Sequence, residues 1–442
     1  MPVVEAPDFP PDQQIQALLN PFGRFGVELG LERIQRLLGS LGNPQARVPL
    51  VHVAGTNGKG SVCAYLSAVL GAAGYRVGRY TSPHLVSWRE RIAVNEQPIQ
   101  TQDLLQRLHR VVEAIDPAQP SPTQFEVFTA AAWLHFAEVG VDLAVMEVGL
   151  GGRLDATNVI DAPLVSVITS LSREHWQRLG PTLADIAWEK AGVLKPGRPT
   201  VVGPLPPEAE AVVKARIAEL GCPAVWPEPA VALGSGQARY GQGDEAITYP
   251  LALLGDHQLI NSAVAIAALH SLRHQGWHIS DQAIATGMGQ SRWPGRLQWV
   301  QWGEAAQTYP LLLDGAHNPA AAAVLRQYVD RWWASQPEHP ARTAWLMGML
   351  ATKDHGDVFA ALLRPGDALH LVPVPGHETA APEDLGAIAR SICPGLAQCQ
   401  IHASLGDGLV ALGETSGPLK VLCGSLYLIG HFLATEPYQD QP

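Results

Sequence analysis

Short apolar runs alternate with longer amphipathic or alanine-rich stretches along most of the 442-residue chain. Val, Ile and Leu occupy consecutive positions in the runs VPLVHVAG, VDLAVMEVGLGG, APLVSVITS and GRPTVVGP, as is typical of strands buried on both faces of a parallel sheet. The stretch SVCAYLSAVLGAAG after the first run has a helical composition and ends at glycine. This alternation predicts an α/β fold, with helices on both faces of a mostly parallel sheet.

The alternation is interrupted once, in the second half of the chain. A glycine-rich, polar stretch near residues 232–257 precedes an alanine-rich helical stretch, and Trp293-Pro294-Gly295 then predicts a helix stop. Strand-helix alternation restarts with TYPLLLDGAHNP. We therefore expect a mostly parallel-sheet domain over residues 1–296 and a smaller, Rossmann-like α/β domain over residues 297–442.

Composition narrows the classes of partner and compartment. The formal charge of -11 argues against nucleic acid or an anionic membrane as a bulk partner. The sequence has no apolar run of the ~18 residues that a membrane span needs, and its N-terminus does not have the pattern of a signal peptide. The five cysteines are scattered, without a C-x-x-C pair. A reducing cytoplasm is the expected location.

The stretch GTNGKGS, Gly55 to Ser61, follows the apolar run Val48–Val53 and opens a helical stretch. Backbone N–H groups at a helix start attract anions, and glycines let the backbone approach them. The common phosphate loop has Ser or Thr directly after its lysine, whereas Gly60 follows Lys59 here. We interpret the stretch as a P-loop-type phosphate-binding loop rather than a plain glycine turn, and expect a metal ligand from elsewhere to replace the displaced hydroxyl.

Two further strand ends supply candidate metal ligands. Glu147 ends the second apolar run, and His175 follows the third. Ligands of open α/β sheets bind at the carboxyl ends of the strands, where a carboxylate can hold Mg²⁺ against phosphates. The alternatives are a helix-capping carboxylate and a structural histidine.

Seven motifs together resemble one family. They match, in order, the folylpolyglutamate synthase and dihydrofolate synthase family, part of the Mur ligase superfamily, from near residue 27 to near residue 430: GTNGKGS, YTSPHL, MEVGLGGRLDATN, EKAGVLKPG, WPGRLQ, LLDGAHNP and GSLYLIG. The resemblance implies a monomeric ligase that uses ATP and Mg²⁺ to add L-glutamate to folates, and also to dihydropteroate, through an acyl phosphate.

Three other functions stay open. A monofunctional dihydrofolate synthase is the nearest. A cell-wall Mur-type ligase is disfavoured, because those enzymes usually carry T-x-G-K-[ST]-[ST]. A nucleotide switch without ligation would need the phosphate loop but not the later motifs.

The resemblance also implies roles for individual residues. Lys59, Lys190 and His175 are the implied catalytic residues. The implied ATP contacts are Asn57, Gly58, Lys59, Gly60, Ser61, Asn261, Arg296, Asp314 and His317, so that ATP would lie between the domains. The implied pterin or folate pocket comprises Thr123, Gln124, Phe125, Glu126, Leu154, Asp155 and Ala156. The implied ligands of two Mg²⁺ sites are Ser82, Glu147, His175 and Lys190.

Lys190 is a lysine that the resemblance implies is carbamylated (N6-carboxylated). An ammonium beside Mg²⁺ would be repelled, whereas a carbamate offers oxygens that a hard cation accepts. The alternative is an ordinary ammonium in contact with phosphate. The chain departs from the family at Arg173-Glu174, where Asp usually precedes the histidine, and at His377, where an arginine-containing segment is common. These departures leave the second metal site and some nucleotide or glutamate contacts open.

Overall fold

A computed structural model of the chain describes residues 11–23, 30–243, 246–304, 307–336, 342–415 and 419–440. The start of the family resemblance near residue 27 lies outside them. The chain divides into two compact units, Met1–Ala252 with Leu259–Ser291, and Leu253–Gln258 with Arg292–Pro442. The domain limits 1–296 and 297–442 stay a prediction. Within the described residues, no helix is both long and apolar enough to cross a membrane.

The first unit is built on an eight-stranded sheet in the order β4-β3-β2-β5-β1-β6-β7-β8. The strands are β1 Leu50–Ala54, β2 Val77–Tyr80, β3 Ile92–Val94, β4 Gln97–Pro98, β5 Leu143–Glu147, β6 Val165–Ile168, β7 Thr200–Val202 and β8 Ala224–Val225. The neighbouring strands β2, β5, β1, β6, β7 and β8 pair in parallel. Strand β3 pairs antiparallel with β2, and β4 pairs antiparallel with β3. The four apolar runs became β1, β5, β6 and β7, as expected for strands buried on both faces.

Helices flank this sheet and bury its faces. They are α1 Pro11–Leu19, α2 Glu32–Ser40, α3 Lys59–Ala72, α4 Thr101–Glu113, α5 Gln124–Val139, α6 Trp176–Leu179, α7 Leu183–Ala191, α8 Pro207–Leu220, α9 His257–Arg273 and α10 Asp281–Gln290, with short 3-10 helices at Asn20–Phe22, Pro44–Arg47 and Trp88–Arg91. One apolar core includes residues of α1, α2, α4 and α5, and another includes residues of α7 and α8. Helix α3 is apolar on nearly all sides and buries Ser61 to Leu70, as expected for a helix enclosed in a core.

A small antiparallel sheet corresponds to the glycine-rich stretch of the sequence. It consists of β9 Val231–Gly234, β10 Gln237–Tyr240 and β11 Ile247–Pro250. Helix α9 follows it and corresponds to the alanine-rich stretch.

The second unit has a seven-stranded sheet in the order β16-β15-β14-β17-β13-β12-β18. Its strands are β12 Gln298–Glu304, β13 Gln307–Leu313, β14 Thr343–Met347, β15 Ala368–Leu371, β16 Gln398–Ile401, β17 Leu419–Cys423 and β18 Tyr438–Asp440. Its helices are α11 Pro319–Ala334, α12 His355–Leu362, α13 Pro382–Ile392, α14 Leu405–Glu414 and α15 Leu426–Thr435. Strands β13 to β17 pair in parallel, and β12 and β18 add antiparallel edges. The predicted fold class, two α/β units with mostly parallel sheets, is confirmed.

Candidate active site

The phosphate-loop candidate lies between β1 and α3, at the carboxyl edge of the first sheet. Gly58 has a φ of 86° and caps α3, whose first residue is Lys59. A Cβ atom on Gly58 would lie 2.5 Å from Oδ1 of Asn261. The position therefore requires glycine for its left-handed backbone and for the close approach of α9. It also places Asn261 directly against the loop.

Hydroxyl groups after β6 hold the loop in place. Thr169 Oγ1 and Ser170 Oγ donate to the carbonyl oxygen of Asn57 at 2.7 and 3.0 Å. The backbone N–H of Asn57 reaches Ser170 Oγ at 3.2 Å, and that of Thr56 donates to the Ser170 carbonyl at 2.6 Å. Our sequence reasoning missed these anchors, although the hydroxyl-rich ITSLS at the third strand end was a usable signal. The loop is fixed before any ligand arrives.

Lys59, Glu147 and Ser82 meet beside the loop. Lys59 Nζ donates to the Thr56 carbonyl at 3.0 Å and lies 4.0 Å from Oε1 of Glu147. Glu147 is the last residue of β5 and is buried. The backbone N–H of Ser82 donates to Glu147 Oε2 at 3.3 Å. The structure thus brings three of the predicted residues together.

The donor set in this corner fits one hard cation. Within the described residues, no group of three or more His, Cys, Asp and Glu side chains is placed to hold a metal ion. Mg²⁺ is commonly held by one or two carboxylates together with substrate phosphates and water. Glu147, which accepts the backbone N–H of Ser82, matches that pattern.

Lys190 reaches the same loop from α7. Its Nζ donates to the carbonyl of Gly55 at 2.7 Å, and only 5% of the residue is exposed. Burial, with the positive charge of Lys59 adding to it, lowers the pKa of Lys190 to about 7, while Glu174 and Asp155 act in the opposite direction. A substantial fraction of this amine is therefore neutral near pH 7. A neutral amine is the form that reacts with CO₂.

The side chains of Glu174 and His175 differ in burial and in what they lie near. Glu174 is largely buried and close enough to raise the pKa of Lys190. The His175 side chain is 47% exposed, and its Nε2 lies 4.0 Å from Glu174 Oε1. His175 has a φ of 52° and precedes the four-residue helix α6. The guanidinium of Arg173 lies over the ring of Trp176 at 4.7 Å. Glu174, whose role the sequence left open, thus lies near enough to Lys190 for its charge to act on the pKa of that lysine.

Glycines let the loop after β5 pack closely on α7. A Cβ on Gly152 would lie 2.9 Å from the carbonyl oxygen of Lys190, and one on Gly192 would lie 2.2 Å from Cβ of Arg153. Neither position has room for a side chain. The glycines of the motifs LGGR and EKAG therefore serve the contact between the segments that carry Asp155 and Lys190.

Asp155 organises that loop from within. Its Oδ2 accepts the backbone N–H of Leu150 at 2.8 Å, and its Oδ1 accepts the N–H and hydroxyl of Thr157 at 3.0 and 2.6 Å. These three donors occupy most of the roughly four acceptor positions that a carboxylate offers. Burial nevertheless raises the pKa of Asp155. Its neighbours Leu154 and Ala156 are half-buried and buried.

The other predicted pocket segment begins α5. Thr123 and Glu126 form a reciprocal capping box, with bonds of 2.7 and 3.2 Å between side chains and backbone N–H groups. The T-x-x-E spacing is a signature of this cap, which our sequence reasoning did not consider. Arg33 pairs with Glu126 at 3.1 Å.

Gln124 and Phe125 lie inside this capped segment and differ in their surroundings. Gln124 Nε2 is buried and has no hydrogen-bond partner among the described residues. The ring of Phe125 covers Gly149 so closely that a Cβ there would lie 2.5 Å from Cζ. The two predicted pocket segments therefore adjoin.

The remaining predicted residues cluster in the second unit. Asp314 accepts the backbone N–H groups of Leu297 and Ala316, both at 2.9 Å. Burial raises the pKa of Asp314, and the Arg296 charge opposes that rise. A Cβ on Gly315 would lie 2.2 Å from Nη1 of Arg296. His317 Nδ1 lies 2.7 Å from the carbonyl oxygen of Gly315.

Two histidines add to the description of this unit. His257 lies beside Arg296, and burial together with the Arg296 charge lowers the pKa of His257 to about 4. Our sequence reasoning did not single it out. His377, at a departure from the family pattern, stacks on Tyr427 with ring centroids 3.7 Å apart.

One cavity of the second unit lies away from all of these residues. It has a volume of about 380 Å³ and is lined at the starts of β14, β15 and β16, by Thr343, Ala368 and Gln398 among others. Ligands of open parallel sheets bind at the opposite, carboxyl ends of the strands. This cavity therefore does not coincide with the candidate site.

Comparison with known proteins agrees with the motif pattern. The family model described as "Dihydrofolate synthetase, C-terminal domain" matches residues 298–435. The chain is 36% identical over 364 residues to a dihydrofolate synthase/folylpolyglutamate synthase of Bacillus subtilis, covering 78% of this chain and 81% of that protein. It is 36% identical over 427 residues to a folylpolyglutamate synthase of Lacticaseibacillus casei, covering 93% and 95% of the two chains.

A solved structure extends the agreement to the fold. The structure of Mycobacterium tuberculosis folylpolyglutamate synthase complexed with ADP and AMPPCP has a TM-score of 0.82 and 28% identity, covering 97% of this chain and 99% of that one. The resemblance inferred from the motifs is confirmed. The chain belongs to the folylpolyglutamate synthase and dihydrofolate synthase family of ATP-dependent ligases.

Proposed function

We propose that this protein joins L-glutamate to a pterin-bearing carboxylic acid, using ATP and Mg²⁺. The observation that carries the proposal is the meeting of three elements at one sheet edge. These elements are the glycine loop with Lys59, the Glu147–Ser82 corner and the buried amine of Lys190 on Gly55. Acyl transfer from a carboxylate needs such a charge-compensating site, because an unactivated carboxylate has oxide as its leaving group.

The proposed reaction has two steps. A carboxylate oxygen of the acceptor attacks the γ-phosphorus of ATP, the bond to the β–γ bridging oxygen breaks, and ADP leaves. The glutamate amine then attacks the acyl carbon, a tetrahedral intermediate forms, and its collapse breaks the C–O bond to release phosphate. Lys59 and the loop N–H groups would bind the transferred phosphoryl oxygens in both steps. Mg²⁺ held by Glu147 and Ser82 would offset negative charge on the phosphates.

Lys190 has a proposed role in modified form. The roughly half-neutral amine, held at the Gly55 carbonyl, is suited to take up CO₂ as a carbamate. The carbamate oxygens would then serve a second Mg²⁺ together with His175. The three donors on Asp155 leave that carboxylate as an organiser of the loop beside Lys190.

Substrate contacts follow from the placement of the other predicted residues. We assign nucleotide binding to the loop, to Asn261 beside it, and to the Arg296–Asp314–His317 cluster of the second unit. We assign acceptor binding to the adjoining segments Thr123–Glu126 and Leu154–Ala156. Gln124 Nε2, buried without a partner, is available to hydrogen-bond a heteroaromatic ring. We further propose that the protein acts as a cytoplasmic monomer.

The acceptor is the finer question. Relatives named for one activity and for both activities are similarly close in identity. We propose that both dihydropteroate and reduced folates are substrates. A monofunctional dihydrofolate synthase is the second candidate, favoured by the family model of the C-terminal region.

A substrate panel with isotopically labelled glutamate tests the proposal. Label should enter product only when ATP, Mg²⁺ and a pterin acid are all present, and phosphate release should require glutamate and acceptor together. Incorporation with dihydropteroate but not with tetrahydrofolate would select the monofunctional alternative. ATP hydrolysis without either co-substrate would contradict the ligase and support a nucleotide switch.

A further inference from the structure

We propose that Thr157 and His52 are positioning residues that hold the acceptor-binding loop of this ligase through a directional hydrogen-bond chain to Asp155. The chain sets how well the pterin acid is bound and oriented, and it leaves ATP binding largely unaffected. The proposal rests on the ligase function proposed above. Neither Thr157 nor His52 is among the predicted site residues.

The chain is continuous and buried. His52 Nε2 lies 2.8 Å from Thr157 Oγ1, and Thr157 Oγ1 donates to Asp155 Oδ1 at 2.6 Å. The three residues are 1%, 0% and 4% exposed. His52 lies in the central strand β1, whereas Thr157 and Asp155 lie in the loop after β5. The chain therefore fastens a loop to the rigid centre of the sheet.

The direction of the chain follows from proton count. A threonine hydroxyl has one hydrogen, and the short bond to the carboxylate uses it. Thr157 Oγ1 must therefore accept from His52, which fixes the proton of the neutral ring on Nε2. Burial, with Lys195 adding to it, lowers the pKa of His52 to about 3 and keeps the ring neutral. Successive donors polarise one another, so the last bond to Asp155 is strengthened.

The loop fastened in this way carries the proposed acceptor contacts. Leu154 and Ala156 flank Asp155, and the same loop contacts Phe125 through Gly149 and the Lys190 carbonyl through Gly152. A shift of Asp155 would move all of these groups together. Displacements of about 1 Å at a substrate-positioning segment can cost up to about a hundredfold in rate.

The phosphate loop has separate anchors. Its Asn57 carbonyl is held by Thr169 and Ser170, and Gly58 packs on Asn261. None of these bonds includes Thr157 or His52. Loss of the chain should therefore affect the acceptor and spare ATP, which general damage to the unit would not do.

The test compares three variants of the full chain. Thr157→Val removes the hydroxyl at nearly constant volume and leaves the His52 N–H without its acceptor. Thr157→Ser restores the hydroxyl. Thr343→Val is the matched control, because Thr343 is also buried and accepts an indole N–H from Trp333 at 3.0 Å in the second unit. We expect Thr157→Val to lower kcat/KM for dihydropteroate by roughly 10- to 100-fold with less than about a twofold change in KM for ATP.

The other expected results separate positioning from stability. The kcat/KM of Thr157→Ser for dihydropteroate should be within about threefold of that of the unmodified protein. Thr343→Val should lower the melting temperature without changing KM for dihydropteroate or for ATP. If Thr157→Val behaves as Thr343→Val does, or raises both KM values equally, the proposal is wrong. If Thr157→Val does not fold, His52→Phe keeps an aromatic ring at this position and removes the N–H. It should lower kcat/KM for dihydropteroate by a smaller factor, again with little change in KM for ATP.

Two further outcomes are decisive. Unfolding of both Thr157→Val and His52→Phe would overturn the proposal, because the chain would then serve stability alone. If the unmodified protein ligates glutamate to no pterin acid, the proposed function itself fails. If instead the unmodified protein is active and Thr157→Val is equally active, only the positioning role of Thr157 and His52 is contradicted.

Discussion

The two units hold charged groups near the carboxyl ends of parallel strands, but they do so over very different distances along the chain. In the first unit, Lys190 reaches Gly55 across 135 residues, and Thr169 reaches Asn57 across 112. In the second unit, Asp314 binds the N–H groups of Leu297 and Ala316, 17 and 2 residues away. The first site is assembled by the tertiary fold, and the second is nearly complete within one local segment.

The electrostatic balance of the two regions differs in the same way. Burial lowers the pKa of Lys190, and the positive charge of Lys59 adds to that effect. Burial raises the pKa of Asp314, and the opposite charge of Arg296 works against that effect. A neighbouring charge therefore disfavours the ionised form of Lys190 and favours the ionised form of Asp314. Substitutions in the first should reduce turnover, and substitutions in the second should mainly reduce affinity.

The largest effect should follow Lys59→Ala. Removing the cation that would contact the transferred phosphoryl group should lower kcat by about a thousandfold or more, because such contacts act mainly in the transition state. Steady-state kinetics at saturating ATP measure this. Lys214→Ala, which removes an exposed lysine paired with Glu210 on α8, is the matched control and should be neutral. Near-normal turnover of Lys59→Ala would contradict the proposed contact between Lys59 and the transferred phosphoryl group.

Lys190 should come next, with a loss of roughly a hundredfold in Lys190→Ala. If the carbamate forms, activity of the unmodified protein should fall in CO₂-depleted buffer and return with bicarbonate. A short carboxylic acid should partly rescue Lys190→Ala by supplying oxygens. It should not rescue Lys190→Arg, whose guanidinium keeps its charge and fills the space. Activity that is independent of CO₂, with residual turnover in Lys190→Arg, would instead favour a plain ammonium.

Glu147→Gln should act on the metal rather than on the nucleotide loop. An amide oxygen is a weaker ligand for Mg²⁺ than a carboxylate, so half-saturation by Mg²⁺ should rise by about tenfold or more. A Mg²⁺ titration of the ligation rate provides the measurement. Glu210→Gln on α8, at a half-buried carboxylate paired with Lys214, is the control. An unchanged titration curve in Glu147→Gln would place the metal elsewhere.

The same contrast in contact distance explains what the sequence could predict. Strands β1, β5 and β6 and the glycine loop were readable, because apolar runs and glycine spacing are local signals. The residues Arg296, Asp314 and His317 were predicted only through the family resemblance, and the structure places them in one short stretch of the second unit. The anchors Thr169 and Ser170 and the chain from His52 to Asp155 were not predicted. The hydroxyl groups are visible in the sequence, but the residues that they bind lie more than 100 positions away.

One sequence pattern can also have two uses. The segment Thr123–Glu126 was assigned to a pocket on resemblance alone, yet its T-x-x-E spacing also caps α5. Glu174 was considered a departure from the family, and only the fold shows its proximity to Lys190. A motif identifies residue types at a spacing, but the fold decides which partner each residue meets.

In the second unit, Asp314→Asn should have a smaller effect on turnover than on affinity. The amide oxygen can accept one of the two N–H groups, while the amide nitrogen faces the other, and Arg296 loses its counter-charge. We expect KM for ATP to rise by about tenfold, in line with one unsatisfied buried donor, and kcat to change less. The exposed Asp407→Asn on α14 is the control. A large loss of kcat at unchanged KM would show that Asp314 acts in turnover, and it would contradict the proposed difference between the two units.

The smallest effect concerns acid sensitivity and compares one buried histidine in each unit. Burial, with Lys195 adding to it, lowers the pKa of His52 to about 3, and burial, with His402 adding to it, lowers that of His370 to about 4. Between these values and the unfolded value of about 6.5, the unfolded chain binds more protons than the folded one. Stability therefore rises with pH across each window and falls as pH drops through it.

Hydrogen exchange resolves the two units in one experiment, because β1 contains His52 and β15 contains His370. After correction for intrinsic exchange, protection of each strand should fall between pH 6.5 and 5, by up to about tenfold per pH unit for each titrating group. His52→Asn should reduce that slope in β1 and leave β15 unchanged, and His370→Asn should do the reverse. If either variant changed both slopes equally, the two units would unfold together. The difference between the units would then concern their site chemistry and not their stability.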